Sequence, residues 1–173
     1  LVAEYGITLN QGVNNIRKNI PLMLDDETTL LSEGFKAILR QLQAQLISLD
    51  NCIDVYDKTI SVAAKNNPIC RLLQTIPGFG PMISTAYNNE VGNGANYRRG
   101  RDVSASLGIV PRQHSSGGKD TLLGISKRGN SYLRCLLIQG AKAVVSRAGT
   151  KTDKLSQWIN KIVQTRGHNR ACV

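Results

Sequence analysis

The chain has 173 residues, of which 41% are hydrophobic and 20% charged, proportions that exclude wholesale disorder. At this length a chain buries roughly 70% of the surface its unfolded form exposes, so one domain folds without disulfides or metal. No apolar run approaches the ~18 residues of a membrane span, and the opening LVAEYGITLN has neither the basic nor the apolar region of a secretory signal. A cytosolic, soluble protein with no membrane partner is expected.

Residues 1–28 carry helical patterning interrupted by Gly6, Gly12 and Pro21. Asp25, Asp26, Thr28 and Thr29 are positioned to cap the next helix. Between about 29 and 65, Phe35, Leu39, Leu42, Leu46, Leu49, Ile53, Tyr56, Ile60 and Ala63 recur at alternating steps of 4 and 3 residues, the 3.5-residue period of a coiled-coil seam. Two readings fit that seam: pairing with another helix, which would make the chain a homo-oligomer, or one amphipathic helix packed on its own domain. Asn66-Asn67-Pro68 ends the helix. A short helical turn at 69–73 leads into Thr75-Ile76-Pro77-Gly78-Phe79-Gly80, and further helices are expected at 81–91, 102–107, 131–147 and 154–165. In the last of these Leu155, Trp158, Ile159 and Ile162 form the apolar face. Residues 108–129 are rich in Gly, Ser and Lys, lack periodicity and are expected as a loop.

The expected fold is therefore mainly α: a coiled-coil-like segment over 1–67, then a compact helical domain over 68–173. That domain would contain a helix-hairpin-helix-like element at about 69–91 and a Ser/Gly/Lys loop at about 111–130.

Charge is divided unevenly along this order. Residues 1–68 hold six Lys/Arg and eight Asp/Glu, whereas residues 69–173 hold sixteen and four, within a chain of net charge +10. The second part is thus matched to a polyanion such as DNA or RNA. The four cysteines, Cys52, Cys70, Cys135 and Cys172, show no CxxC spacing and no histidine partners at zinc-ligand spacing. They read as reduced, mostly buried small hydrophobes, and no cofactor is expected in this chain.

Two segments carry chemistry. Gly78 and Gly80, two apart in a hairpin between helices, leave backbone N–H groups open at a helix start, where donors and dipole suit a phosphate. The bland alternative is a corner that needs glycine for its turn. The second segment is Pro111-Arg112-Gln113-His114-Ser115-Ser116-Gly117-Gly118-Lys119, followed by Ile125-Ser126-Lys127-Arg128-Gly129-Asn130. Paired glycines let a backbone approach closely, and the cations offset phosphate charge. It is not a Walker A loop, because the first glycine of that motif is absent and Asp120 follows the lysine. Either the segment grips phosphates, or one serine attacks a phosphodiester, which requires a base, a metal or cationic neighbours. Lesser candidates are His114 as a base and Tyr97 or Tyr132 as nucleophiles, packing being the expected role of Tyr132. Arg134 is placed to reach toward the basic loop. Glu90, Asp102 and Asp120 are too scattered for a two-metal site.

Residues 69–170 resemble the C-terminal domain of insertion-sequence transposases of the IS110 type, particularly the IS1111 branch. The resemblance rests on Leu73-Gln74-Thr75-Ile76-Pro77-Gly78-Phe79-Gly80, Ser106-Leu107-Gly108-Ile109-Val110-Pro111-Arg112-Gln113, Ser115-Ser116-Gly117-Gly118-Lys119, Gly124-Ile125-Ser126-Lys127-Arg128-Gly129-Asn130 and Tyr132-Leu133-Arg134. The helix at 29–65 is similar to the coiled coil that precedes this domain in the family. The resemblance implies an RNA-guided DNA recombinase whose C-terminal serine forms a 5′-phosphoserine link to DNA. It also implies an N-terminal RuvC-like domain with four acidic ligands for Mg2+, and a structured guide RNA. Carried onto this sequence, the nucleophile is Ser116, preceded by Ser115. Gly117, Gly118, Lys119 and Arg112 would frame the attacked phosphate, and Lys127 and Arg128 would contact the backbone. The RuvC-like domain has no counterpart in these residues and the chain starts at Leu1, so a C-terminal part is expected that binds nucleic acid but does not cut it alone. Two rivals are a non-catalytic helix-hairpin-helix module for DNA or RNA, and an interaction protein assembled through residues 29–65.

Overall fold

In a computed structural model the chain is mainly helical. The structure describes residues 2–26, 31–116 and 118–173, with the backbone only for Ser115, Ser116, Lys119 and Asp120. Thr28, Thr29 and Gly117 lie outside the described residues. Contacts divide the chain into two units, Leu1–Asp57 and Lys58–Val173.

The first unit holds a short 3-10 turn at Val2–Tyr5, helix α1 (Val13–Asp25) and most of helix α2 (Glu33–Asn66). Pro21 sits inside α1 rather than ending it. The start of α2 is capped by Ser32, whose Oγ accepts from the Phe35 N–H at 3.3 Å. A small core joins Met23, Leu31 and Leu39 with Val2, Ile7, Leu9, Leu24 and Phe35. The Tyr5 ring lies 4.6 Å from that of Phe35, and Arg17 pairs with Asp50 to tie α1 to α2. Further along α2 the expected seam is open: Leu42, Leu49, Ile53 and Tyr56 are 42%, 61%, 55% and 67% exposed.

The second unit begins at the end of α2. Asn67 then caps helix α3 (Pro68–Leu73), its Oδ1 accepting from the N–H groups of Ile69 and Cys70 at 2.8 and 3.2 Å. Helix α4 (Pro81–Val91) starts at Gly80, with Pro81 at its first position, where the missing N–H costs nothing. Helix α5 (Gly100–Ser106) is fixed by Asp102, which accepts from the Arg99 N–H at 3.1 Å. Asn130 caps helix α6 (Ser131–Ala148), and Asp153 caps helix α7 (Lys154–Arg166); a last turn, α8, spans His168–Ala171. Helix α4 packs on α3 and α6, and α7 packs on α6 and α8. Val145 and Ala148 of α6 meet Ile159 of α7 and Cys172, and Asn160 Nδ2 donates to the Ala148 carbonyl at 3.1 Å.

One expected loop is a ribbon. Pro111–Ser116 (β1) and Lys119–Ile125 (β2) form an antiparallel pair, in register from Ser116–Lys119 back to Gln113–Leu122. The register then slips, so that two steps on β1 from Gln113 to Pro111 match three on β2 from Leu122 to Ile125. Alternation does not reveal it because apolar side chains face water here: Leu122 is 67% exposed and Leu123 42%. The cysteines are free, as expected, but only Cys70 and Cys172 are buried, while Cys52 and Cys135 are exposed. Among the described residues no helix is long and apolar enough to cross a membrane.

Candidate nucleic-acid interface

The ribbon is clasped at its base by backbone. The Ser126 N–H donates to the Val110 carbonyl at 2.8 Å, and the Lys127 N–H to the Gly108 carbonyl at 2.9 Å. These bonds draw residues 108–110 against 126–129 so closely that side chains are excluded. A Cβ on Gly129, at φ +99°, would overlap the Ser106 carbonyl, and one on Gly108 would overlap the Arg128 backbone. Arg134 adds a strut: its guanidinium donates to the Leu107 carbonyl at 2.9 Å, at the end of α5. Ribbon, α5 and the start of α6 are thereby held together.

This clasp builds a cleft of about 370 Å³ lined by Pro111, Arg112, Gln113, His114, Ser126 and Arg128. Among the described residues two guanidinium groups and an imidazole line it and no carboxylate does, a composition suited to a phosphate. Along β1, Arg112, His114 and Ser116 occupy alternate positions, the two-residue repeat that brings residues to one strand face. Ser116 pairs in register with Lys119 and Ser115 with Asp120 across the Gly117-Gly118 connection. Lys127 and Arg128 are exposed where β2 leaves the ribbon, and Lys127 adopts a positive φ of 56°. Pro111, Gln113 and Ser126 are lining residues to which sequence reasoning assigns no role; the only signal for Ser126 is its place between Ile125 and Lys127.

The helical hairpin divides its two glycines between two tasks. A Cβ on Gly78 would lie 2.8 Å from the Gly140 carbonyl oxygen and 3.0 Å from Val144 Cγ2, so Gly78 seats the hairpin on α6. Gly80 meets nothing within 4 Å on its Cβ side, and its carbonyl accepts from the Ser84 N–H at 2.9 Å as α4 begins. Phe79 packs edge-on against Tyr87 with ring centroids 5.8 Å apart. Burial, and then the neighbouring Tyr97, push the Tyr87 hydroxyl above the ordinary tyrosine range. Tyr132, expected to pack, is 61% exposed. It lines a separate cleft of about 570 Å³ with Asn67, Asn88, Asn89, Glu90 and Asn130, where none of the described lining residues is a cation that could hold a phosphate. Among the described residues no three His, Cys, Asp or Glu side chains gather to hold a metal ion.

Residues 70–157 match the family described as transposase IS116/IS110/IS902, and this stretch contains the hairpin, the clasp and the ribbon. The chain belongs to that family. Over 173 residues it is 42% identical to the transposase for insertion sequence element IS1111A of Coxiella burnetii, covering all of this chain and 48% of the relative. It is 34% identical to a probable family 20 transposase of Pseudomonas aeruginosa, covering all of this chain and 52% of the relative. It is 33% identical to the transposase for insertion sequence element IS1328 of Yersinia enterocolitica, over 91% of this chain and 46% of the relative. The chain spans about half the length of these curated relatives.

Proposed function

We propose that this chain is the DNA-gripping and serine-bearing part of a transposase. The observation that carries the reading is the cleft of Arg112, His114 and Arg128 beside a strand that leads directly to Ser115 and Ser116. Phosphate oxygens sit against the two guanidinium groups, with Lys119, Lys127 and the backbone of Gly118 as further contacts, and Gly117 in the connection itself. The hairpin contributes a second backbone contact at Gly80, while Gly78 and Arg134 act chiefly by holding the parts in place. Ser116 is the nucleophile. Its hydroxyl loses a proton as its oxygen bonds to phosphorus, and the P–O3′ bond breaks with a proton passing to the departing O3′, which leaves a 3′-hydroxyl and a 5′-phosphoserine link with no net proton change. The cations offset the charge that accumulates on the phosphate oxygens during that exchange.

The reading has three further parts. A structured guide RNA chooses the sites, since phosphate contacts by the protein carry no sequence information. As the family resemblance implies, Mg2+ would be held by the acidic residues of an RuvC-like domain and would supply Lewis-acid assistance there. The open seam of Leu42, Leu49, Ile53 and Tyr56 pairs copies of the chain as a coiled coil. By itself the 173-residue chain binds nucleic acid without cleaving it.

Binding is tested by titrating DNA at several salt concentrations. The account predicts a steep linear fall of log affinity with log salt, and Arg112→Ala and Arg128→Ala each reduce the slope by about 1 on every sequence tested. Salt-insensitive binding would remove the phosphate-grip reading. The alternative, a non-catalytic helix-hairpin-helix module, predicts the same slopes but no covalent product from Ser116.

A further inference from the structure

Helix α7 presents two faces. Ser156 and Ile159 are buried, and Ile159 and Val163 pack against α6. Trp158, Lys161, Ile162, Thr165 and Arg166 follow at i, i+3, i+4, i+7 and i+8, the spacing of one helix face. With Arg170 of α8 they line a shallow cleft of about 490 Å³. The indole of Trp158 is 60% exposed there, although the residue is the most costly in the chain to leave in water. Among the described residues no acidic side chain lines the cleft, and Lys161, Arg166 and Arg170 enter no salt bridge. These residues also fall after position 157, where the family match ends.

We propose that this cleft binds a single strand of nucleic acid, with an unpaired base stacked on Trp158 and the flanking phosphates held by Lys161, Arg166 and Arg170. Each element of the cleft matches one element of that ligand. A flat exposed indole takes the face of any base, which is a sequence-tolerant contact. Three cations around it track a sugar–phosphate backbone, and Thr165 and Ile162 fill the space between. A duplex hides its base faces and offers only the phosphates, so the cleft discriminates strand state rather than sequence. A transposition intermediate or a looped RNA displays such unpaired bases, and the site is separate from the ribbon cleft that grips the phosphate to be cut.

Trp158 is the single tryptophan of the chain, so its emission reports this cleft alone. The intact chain is titrated with a twelve-residue oligothymidylate, an oligouridylate of equal length and a duplex of equal length, with fluorescence and anisotropy read together. Both single strands are expected to quench Trp158 as they bind, with the duplex binding but not quenching. Of the two, the strand that quenches at the lower concentration identifies the occupant as DNA or RNA. Trp158→Ala should weaken single-strand binding at least about fivefold, as loss of one stacked base predicts, and leave duplex binding unchanged. Trp158→Phe should restore most of the loss, and Arg166→Ala with Arg170→Ala should weaken single-strand binding and lower its salt slope by about 2. An Arg112→Ala, Arg128→Ala variant should keep the quenching, which separates this cleft from the ribbon site. Saturated single-strand binding without quenching would overturn the proposal, as would absence of single-strand binding. Emission that changes with protein concentration alone would instead assign the face to a second copy of the chain.

Discussion

Gly140→Ala reverses the sign that helix propensity assigns to it. Gly140 lies in the interior of α6, where replacing glycine by alanine ordinarily stabilises by up to ~1 kcal/mol. Here the added methyl would overlap the Gly78 carbonyl oxygen and lie 2.8 Å from Ile83 Cδ1. The isoleucine tip can rotate away, but the carbonyl belongs to the hairpin backbone and moves only with α4. Overpacking of this kind costs about 1–3 kcal/mol, which offsets the propensity gain and leaves a net loss of up to about 2 kcal/mol. With a urea slope of about 2 kcal/mol/M, the midpoint should fall by up to roughly 1 M. Gly149→Ala is the control: it follows the same helix at φ −62°, in open space, and should not lower the midpoint. A Gly140→Ala midpoint at or above that of the unaltered chain would refute the seating of the hairpin on α6.

Three other predictions concern separate parts of the molecule. Leu46→Asp with Ile53→Asp should reduce the sedimenting mass to that of one chain if α2 pairs copies, and an unchanged mass would refute pairing through this seam. Hydrogen bonds from the Ser156 hydroxyl and N–H hold the Asp153 carboxyl below the ordinary aspartate range. A depressed folded value means the stabilisation is complete above the unfolded value and is lost as pH falls through the folded one. Thermal unfolding should therefore show an acid-side loss that is smaller in Asp153→Asn. Tyr87, shifted upward, stabilises fully below the unfolded tyrosine value and loses that contribution as pH rises through its folded value. Ultraviolet titration should show one late-ionising tyrosine, moved earlier when Tyr97 is replaced by phenylalanine.

The helices are legible because their stop and start signals are local. Asn67-Pro68 before α3, Pro81 before α4 and the Asn130 and Asp153 caps act within three residues of where they stand. The ribbon is not legible, because a two-stranded sheet exposed on both faces leaves no apolar alternation to read. Pro21 reads as a break, yet α1 runs through it. In α7, periodicity groups Trp158 with Ile159 as one apolar face; only contact with α6 reveals that Ile159 is covered and Trp158 is not. The candidate site divides the same way. Arg112 and Arg128 stand out by charge and His114 by its place beside the serines, whereas the partnership of Gly78 with Gly140, or Gly129 with Ser106, joins positions too distant for any local pattern.

The central claim is tested most directly in a full-length family member carrying these residues, mixed with element DNA, its RNA and Mg2+ and run on a denaturing gel. The account predicts a protein–DNA adduct that persists in Ser115→Ala and disappears in Ser116→Ala. Confirmed DNA binding with no adduct, or an adduct that survives Ser116→Ala, would contradict it.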